Sequence, residues 1–328
     1  MSRLFRRRPF AGLAALVGLG LLAAGCSGGG GGSAAPGGLE KTTLNVVASP
    51  AMDSAGLYIA QERGLFAAEG LNVTIQETSN QTAAINSQLA QKFDVTVGNY
   101  VPYIRANGAA KHPADFRVLA AGSILQANNE QIMVRQNSNI STIAQLVGKH
   151  IAVNAPNSMG TLLVSSVLTD NAVQAGQQAH FISVPFNNMA TALATRQVDA
   201  AWMPEPYVAQ AEEKVGAVPL ADSDQGTTQS LPISGYMVTA SWLKKYPNTA
   251  AAFRTAILKA QAIAATDPAA IQQGMVKFAI TQNRTAAIAN PPQFPTQQNT
   301  VLLQRLADLM LKFNMLQQKY VVNPMIVK

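Results

Sequence analysis

The sequence contains a single cysteine and only three histidines among 328 residues. One thiol cannot form a disulfide framework or a cysteine-based zinc cage. Charged residues make up 12% of the chain, about half the share in an average globular protein, while 48% of residues are hydrophobic. This composition excludes a disordered, highly charged tail protein. It predicts sizeable cores, and the length predicts about two domains.

The excess of positive charge is concentrated at the N-terminus. The chain has 24 Lys and Arg against 17 Asp and Glu, a formal net charge of +7. Four of the arginines lie in residues 1–25, which contain no acidic residue, so the rest of the chain carries 20 basic and 17 acidic residues, a net charge of +3. No cluster of Lys and Arg remains there, and we therefore expect no binding to nucleic acid.

The first 38 residues have the pattern of an export signal followed by a tether. Arginines precede an apolar stretch at 10–24, which is shorter than the ~20 residues that span a bilayer, and small residues then lead into Cys26. We interpret 1–25 as a lipoprotein signal peptide, exported by the Sec or the twin-arginine route and cleaved before a lipidated Cys26. An uncleaved anchor and a plain secretory signal are the alternatives. The Gly- and Ser-rich segment 26–38 is expected to be a flexible tether, which places the protein outside the cytoplasm, lipid-anchored to the outer face of the cell membrane.

From residue 39 onward, short β-rich segments alternate with helical patterns, which favours an α/β fold with largely parallel sheets. Strands are predicted at 44–48, 71–75, 93–97, 117–121, 131–135, 151–154, 181–184, 200–203 and 234–239, and the chain after 241 is predicted to be mostly helical. Two of these strands, at 131–135 and 234–239, bracket a segment with its own strands and helices. We therefore predict a first lobe of 39–133 and 236–328 and a second lobe of 134–235, with two crossing strands as a hinge beside a cleft.

Four segments carry a resemblance to a known family. They are 56–73 (GLYIAQERGLFAAEGLNV), 94–99 (DVTVGN), 146–153 (LVGKHIAV) and 198–207 (VDAAWMPEPY). In this order the chain resembles the solute-binding proteins of ABC importers, in the branch that binds nitrate, sulfonates, taurine and thiamine precursors. The resemblance implies a two-lobed periplasmic-binding-protein type 2 fold with a helical C-terminal tail. It also implies a monomer that delivers a small-molecule solute to the transmembrane subunits of an ABC permease.

Candidate ligand-binding residues follow from the behaviour of open α/β sheets, in which ligands lie beyond the carboxyl ends of strands and at helix N-termini. Four segments of this chain meet that description. The candidates in them are Ser49, Met52, Asp53, Gly98, Asn99, Tyr100, Asn157, Ser158, Gly160, Thr161, Trp202 and Glu205. Each type of residue has an alternative role: the hydroxyl and carboxyl groups could cap helices, and the aromatic rings could belong to a core.

The four segments that hold the candidate ligand-binding residues contain no Lys or Arg, which makes a doubly charged anion a poor ligand. Asp53 and Glu205 instead suggest a solute with an amine, an amino-heterocycle or another cationic group. A zwitterion such as taurine fits, with its sulfonate at the amides of 158–161 and its ammonium at a carboxylate. An amino-pyrimidine precursor of thiamine, stacked on Trp202 or Tyr100, fits as well. A small organic solute is therefore favoured over nitrate.

Enzymatic alternatives have little support in the sequence. The three histidines are far apart, so no metal site is predicted, and there is no nucleophile elbow or phosphate-binding loop. We expect no cofactor and no catalytic residue. A relative that synthesises the thiamine pyrimidine is disfavoured because the cysteine-rich motif of that enzyme is missing. A solute sensor that feeds a signalling receptor and a structural surface protein remain as alternatives.

Overall fold

The computed structural model describes residues 38–111, 113–173 and 179–327. Residues from Gly37 to Lys328 form one compact unit. The predicted signal peptide, Cys26 and nearly all of the predicted tether lie outside the described residues, so lipidation stays a prediction. Within the described ranges, no helix is both long and apolar enough to cross a membrane.

Ten strands are present in the described part of the chain, and they form two five-stranded sheets. In chain order they are β1 (Thr43–Ala48), β2 (Asn72–Glu77), β3 (Val95–Asn99), β4 (Phe116–Ile124), β5 (Glu130–Arg135), β6 (His150–Val153), β7 (His180–Ser183), β8 (Ala200–Pro204), β9 (Ala217–Asp222) and β10 (Pro232–Thr239). The first sheet has the order β2-β1-β3-β10-β4, and the second has the order β7-β6-β8-β5-β9. The chain thus leaves the first sheet after β4, builds the second sheet and returns as β10. Two crossings between two sheets confirm the expected fold class.

Both sheets are mixed, which corrects the expectation of largely parallel sheets. Strand β1 pairs in parallel with β2 and β3, and β6 pairs in parallel with β7 and β8. Strands β10 and β5 are antiparallel to both of their neighbours. The reason is the crossing itself. A parallel pair needs a long connection that carries the chain back to the same end of the sheet, whereas β5 and β10 enter by short segments from the other sheet.

Helices cover these sheets and form most of the C-terminal part of the chain. They are α1 (Ala55–Glu62), α2 (Leu65–Ala68), α3 (Gln81–Leu89), α4 (Tyr100–Asn107), α5 (Met159–Asp170), α6 (Phe186–Ala194), α7 (Tyr207–Val215), α8 (Ala240–Lys245), α9 (Pro247–Thr266), α10 (Pro268–Lys277), α11 (Asn283–Ile288) and α12 (Thr300–Lys312). Short 3-10 turns lie at Met52–Ser54, Ile143–Leu146, Gly226–Thr228 and Asn323–Met325. The expectation of a mostly helical tail is met.

The long helix α9 shows how the tail completes the first sheet. It begins with Pro247, whose fixed φ suits the first helical turn and whose missing N–H is not needed there. Its buried Phe253 lies 5.1 Å from the ring of Phe66 and 6.1 Å from the ring of Tyr236 on β10, measured between ring centroids. Burial of such a ring contributes about 1.5–3 kcal/mol. The tail is therefore part of the core around the first sheet.

The predicted strands all have a counterpart in the structure, while β9 was missed. Its sequence, AVPLAD, contains Pro219 and lacks the alternation of apolar and polar residues expected for a strand. Proline is tolerated because β9 is an edge strand that pairs only with β5 within the described sheet. The boundaries proposed for the two lobes, at 133/134 and 235/236, stay a prediction.

Candidate functional site

A narrow cavity of about 10 Å³ lies between the two sheets. This is room for about one water molecule, far less than the roughly 300–1,000 Å³ of small-molecule sites, so the two sides must separate to admit a solute. The first-sheet side contributes Ser49, Asp53, Gln81, Asn99 and Ile233, and the second-sheet side contributes Glu130, Asn154, Met159, Phe186, Trp202 and Pro204. Because both sheets supply wall residues, any molecule in this cavity touches both.

The position of the cavity follows from the strands. Ser49 comes directly after β1 and Asn99 is the last residue of β3. On the other side, Asn154 comes directly after β6 and Pro204 ends β8. The carboxyl ends of parallel strands are the places where open α/β sheets bind ligands. Both sheets therefore turn that edge toward the same space.

Asp53 supplies a carboxyl group from the first-sheet side. It lies in the 3-10 turn Met52–Ser54, and its Oδ1 accepts a hydrogen bond of 3.1 Å from the hydroxyl of Ser123. The Ser123 hydroxyl is in turn 2.8 Å from the hydroxyl of Ser234 on β10. Burial raises the pKa of Asp53, an effect that the hydrogen bond from Ser123 only partly opposes.

Glu130 supplies a second carboxyl group from the opposite side. It is the first residue of β5, its side chain is 0% exposed, and neither Oε1 nor Oε2 has a hydrogen-bond partner among the described residues. Burial is the main cause that raises the pKa of Glu130 well above its ordinary value of 4.5. The negative charges of Asp53 and Asp222 raise this pKa further.

Trp202 forms an aromatic wall on the second-sheet side. Its ring lies 6.0 Å from that of Phe186, and its Nε1 has no acceptor among the described residues. The ring is backed by Gly160, since a Cβ on that glycine would lie 2.3 Å from Cε3 of Trp202. Across the cavity, Oδ1 of Asn99 is buried and also lacks a partner within the described ranges.

The ionisable side chains that line the cavity are all acidic. Among the described residues that line it, none is Lys, Arg or His. In the part of the chain that the structure describes, no group of three or more His, Cys, Asp or Glu side chains is arranged to hold a metal ion. The cavity thus offers two carboxyl groups, amide and hydroxyl groups, an indole N–H and aromatic faces.

The family described as NMT1/THI5 like matches residues 51–271 of the chain. The chain belongs to the NMT1/THI5-like family. This match covers about two thirds of the chain and includes every lining residue except Ser49. It confirms the family expected from the sequence motifs.

Two relatives and one solved structure are similar to this NMT1/THI5-like protein. The binding protein YtlA of Bacillus subtilis is 27% identical over 211 residues, which cover 63% of this chain and 61% of YtlA, so the match spans about three fifths of that relative. A protein of Haemophilus influenzae named for thiamine biosynthesis is 23% identical over 223 residues, 60% of this chain and 67% of that protein. The alkanesulfonate-binding protein SsuA of Xanthomonas axonopodis pv. citri, bound to MOPS, has a TM-score of 0.73 at 18% identity and covers 88% of this chain and 99% of its own. The last comparison confirms the two-lobed periplasmic-binding-protein fold.

Four of the candidate residues line the cavity of this NMT1/THI5-like protein, and two glycines support it from behind. Ser49, Asp53, Asn99 and Trp202 are wall residues. Gly160 backs Trp202 as described, and Gly98 backs Gln81, because a Cβ on Gly98 would lie 2.0 Å from Nε2 of Gln81. The expected close approach of the backbone at Gly98 therefore serves a neighbouring side chain.

The sulfonate site expected at the backbone amides of 158–161, at the start of α5, stays a prediction. Met159 of this segment lines the cavity, while Asn157 is exposed and has a left-handed φ of 52°. The hydroxyl of Ser158 donates a hydrogen bond of 3.0 Å to Oδ1 of Asn154, and the hydroxyl of Thr161 donates one of 3.4 Å to the carbonyl of Ala155. Ser158 thus positions a lining residue.

Met52, Tyr100 and Glu205 are buried beside the cavity and are not among its wall residues. The hydroxyl of Tyr100 accepts a hydrogen bond of 3.2 Å from Nε2 of Gln298. The backbone N–H of Met52 donates to the carbonyl oxygen of Glu205 at 2.9 Å. These three residues shape the surroundings of the cavity.

The carboxyl group of Glu205 has its own backbone partners. Its Oε2 accepts from the N–H of Ala209 at 3.2 Å, and its Oε1 accepts from the N–H of Asn290 at 3.1 Å. Burial raises the pKa of Glu205 to about 7, although both hydrogen bonds act to lower it. This carboxyl therefore links the start of α7 to the segment after α11.

Sequence reasoning missed seven lining residues, which are Gln81, Glu130, Asn154, Met159, Phe186, Pro204 and Ile233. Two of them carried a usable signal. Asn154 is the last residue of the strand predicted at 151–154, and Ser49 comes directly after the strand predicted at 44–48. Glu130 stands one residue before the predicted strand 131–135 with its apolar run 132–134, and a charged residue is rarely buried in such a place.

Proposed function

We propose that this protein is the solute-binding component of an ABC-type importer, which captures a small organic solute between its two sheets and delivers it to a permease. The observation that carries the proposal is the cavity whose wall is shared by Asp53 and Asn99 on one side and Glu130 and Trp202 on the other. A solute that contacts both sides stabilises the closed arrangement over an open one. Membership of the NMT1/THI5-like family and the fold shared with the alkanesulfonate-binding protein support this function.

The solute is proposed to be small and organic, of the taurine-like or thiamine-pyrimidine-like kind. The indole of Trp202 and the ring of Phe186 favour a ligand with an apolar or aromatic part. The alkanesulfonate ligand class of one structural neighbour and the thiamine-related name of one relative point to the same two kinds of solute. Nitrate has no apolar part and would leave these rings without a contact.

The protein is proposed to work as a monomer on the outer face of the cell membrane. The sequence of residues 1–38 supports this location, with lipidated Cys26 as the anchor and 26–38 as the flexible tether. A tethered protein reaches the external face of a permease while it remains at the cell surface. Radiolabelled palmitate incorporated by the wild type, and lost in Cys26→Ala, would be expected.

A thermal-shift screen of the full-length protein, purified in mild detergent and stripped of solute by unfolding and refolding, tests the binding function. The panel contains taurine, alkanesulfonates, nitrate, thiamine and its amino-pyrimidine. A ligand at 100 times its Kd adds ~2.7 kcal/mol of stability, which raises the melting temperature visibly. Deletion of the gene should then abolish uptake of the same radiolabelled solute. Uptake that persists would indicate a solute sensor.

A catalytic role is the second candidate, favoured by the thiamine-biosynthesis name of one relative and by two buried carboxyl groups in the cavity. Buried acids with raised pKa values are common in active sites. The two roles are separated by mass spectrometry of the solute after prolonged incubation with the protein. We expect the solute to be recovered with its mass unchanged, whereas a new product would establish catalysis.

A further inference from the structure

Two acidic side chains reach the cavity from opposite sheets. Asp53 belongs to the turn after β1, and Glu130 begins β5 of the second sheet. The described lining includes no Lys, Arg or His to balance them. Any positive charge between these two carboxyl groups must therefore come from a bound molecule.

Glu130 gives independent evidence that a partner is missing. The residue is 0% exposed, and both of its carboxyl oxygens lack a hydrogen-bond partner among the described residues. Buried polar groups in folded proteins nearly always have a partner, and burial of an unpaired acid is costly. Glu205 shows the contrast, because its two oxygens accept hydrogen bonds from backbone N–H groups. An ionised Glu130 would take N–H donors from a bound molecule, since no described residue supplies one.

We propose that the solute carries a protonated nitrogen, which is held between the carboxyl groups of Asp53 and Glu130. This inference rests on the proposed function, because it names the class of solute bound in the same cavity. A nitrogen with two or more N–H groups can donate to both carboxyls, and such charge-assisted bonds are strong where water is excluded. Primary ammonium, amidinium and amino-pyrimidinium groups meet this requirement. Nitrate and simple alkanesulfonates do not.

The other polar groups of the wall fit a solute with a second functional end. The Nε1 of Trp202 is a donor without an acceptor among the described residues, so it can bind a sulfonate oxygen or a ring nitrogen. The Oδ1 of Asn99 is an acceptor without a donor there, so it can take one more N–H. The face of Trp202 beside Phe186 also suits a cationic or aromatic group.

The acids around the proposed nitrogen predict that binding releases protons. The charges that act on Glu130 come from Asp53 in the 52–54 turn and from Asp222 at the end of β9, while the hydroxyl of Ser123 faces Asp53. Burial raises the pKa of both cavity carboxyls, so the empty cavity keeps a proton to a higher pH than an exposed carboxyl would. An arriving cation replaces this proton. The affinity should accordingly rise with pH until the solute itself loses its charge.

The first test identifies the charge of the solute. Protein purified from its own cells is denatured, and the released small molecules are identified by mass spectrometry. In parallel, calorimetry compares taurine with isethionate (2-hydroxyethanesulfonate), which replaces the ammonium by a hydroxyl, and benzylamine with benzyl alcohol. We expect a released solute with a basic nitrogen and an amine that binds at least ~30-fold more tightly than its hydroxyl partner. A released solute without such a nitrogen, or equal binding of a pair, would overturn the proposal.

The second test uses variants that remove one charge each. Glu130→Gln and Asp53→Asn should each weaken binding of the released solute, or of the better-bound amine probe, by about 30-fold, since each removes a buried charged partner. Asp224→Asn, which removes a charge outside the described lining, should change the affinity less than about twofold. Calorimetry in phosphate and in Tris, whose ionisation enthalpies differ, should show less proton release for Glu130→Gln.

The outcomes separate the two proposals. If a solute binds but both variants retain the wild-type affinity, the cation site is wrong and the binding function stands. If no solute is released and none of the probes binds, the binding function itself is wrong, and the inference about the nitrogen fails with it. Thermal melts of the ligand-free variants establish that each of them is folded.

Discussion

The hydroxyl of Tyr207 donates a hydrogen bond of 2.8 Å to the carbonyl oxygen of Pro50, which joins the second-sheet side of the molecule to the loop after β1. A second bond runs alongside it, from the N–H of Met52 to the carbonyl of Glu205 at 2.9 Å. Both bonds cross the same boundary as the cavity. The two sides are therefore joined by hydrogen bonds to backbone carbonyls in the absence of a solute.

Removal of the Tyr207 hydroxyl should favour opening. Tyr207→Phe retains the ring, which lies 5.2 Å from the ring of Phe186, and loses only the bond to Pro50. A hydrogen bond of this kind contributes about 0.5–1.5 kcal/mol, so we expect an affinity two- to tenfold lower, mainly through faster dissociation. Stopped-flow tryptophan fluorescence measures that rate.

Tyr103→Phe is the matched control for this change. It also loses a single hydroxyl bond, to Oγ1 of Thr96 at 2.7 Å, but both residues belong to the first-sheet side. Its stability should fall by a similar amount while its dissociation rate stays constant. Equal dissociation rates for wild type and Tyr207→Phe would contradict a role of the Tyr207 bond in closure.

Gly160→Ala should displace the aromatic wall of the cavity. The new Cβ would lie 2.3 Å from Cε3 of Trp202, a separation that atoms cannot adopt, so the indole must move. Overpacking of this kind costs about 1–3 kcal/mol. We expect a lower melting temperature, a shifted tryptophan emission and loss of solute binding. In the control Gly274→Ala, the nearest atom is the Cβ of Tyr58 at 3.3 Å, and only a small change is expected; similar losses in both variants would argue against a specific role for Gly160.

The positions of nine of the ten described strands along the chain, the two crossings and the strand ends that meet at the cavity could be predicted from the sequence. The identity of the second acid could not, and Glu205 and Glu130 show why. Glu205 follows a strand and was expected to bind a cationic group of the solute. Its carboxyl instead accepts a hydrogen bond from the N–H of Asn290, which is distant in sequence. Glu130 reaches the cavity because β5 is a central strand, between β8 and β9. The direction of a strand side chain depends on register, and a shift of one residue would reverse it.

The ligand-free protein should lose stability as the pH rises from 4.5 toward 7. Burial raises the pKa of Glu205 from 4.5 to about 7, so the folded state holds a proton that the unfolded state has lost in this interval. The contribution of protonated Glu205 to the free energy of unfolding is therefore complete below pH 4.5, and it is lost as the pH rises past the pKa of Glu205 in the folded state. A shift of this size corresponds to about 3 kcal/mol at most.

Thermal melts of ligand-free protein at pH 5, 6, 7 and 8 check this prediction. The melting temperature should fall over the series, and Glu205→Gln should flatten part of the fall, because a glutamine cannot ionise. Asp53 and Glu130, whose pKa values are also raised, act in the same direction and contribute to the remainder. A melting temperature that is constant, or that rises over the series, would contradict the prediction.

Glu130→Gln should make the empty protein more stable at high pH and less responsive to solute. The pKa of Glu130 is raised well above its ordinary value, mainly by burial, so ionisation of Glu130 in the folded state is opposed as the pH rises. Glutamine avoids that ionisation. At pH 5 the two proteins should melt alike, and the variant should melt at a higher temperature as the pH increases. With solute present the order should reverse, because only the wild type gains a charge-assisted bond on binding. A variant that melts lower than the wild type at every pH would show instead that Glu130 holds the fold together, and its unpaired oxygens would then need another explanation.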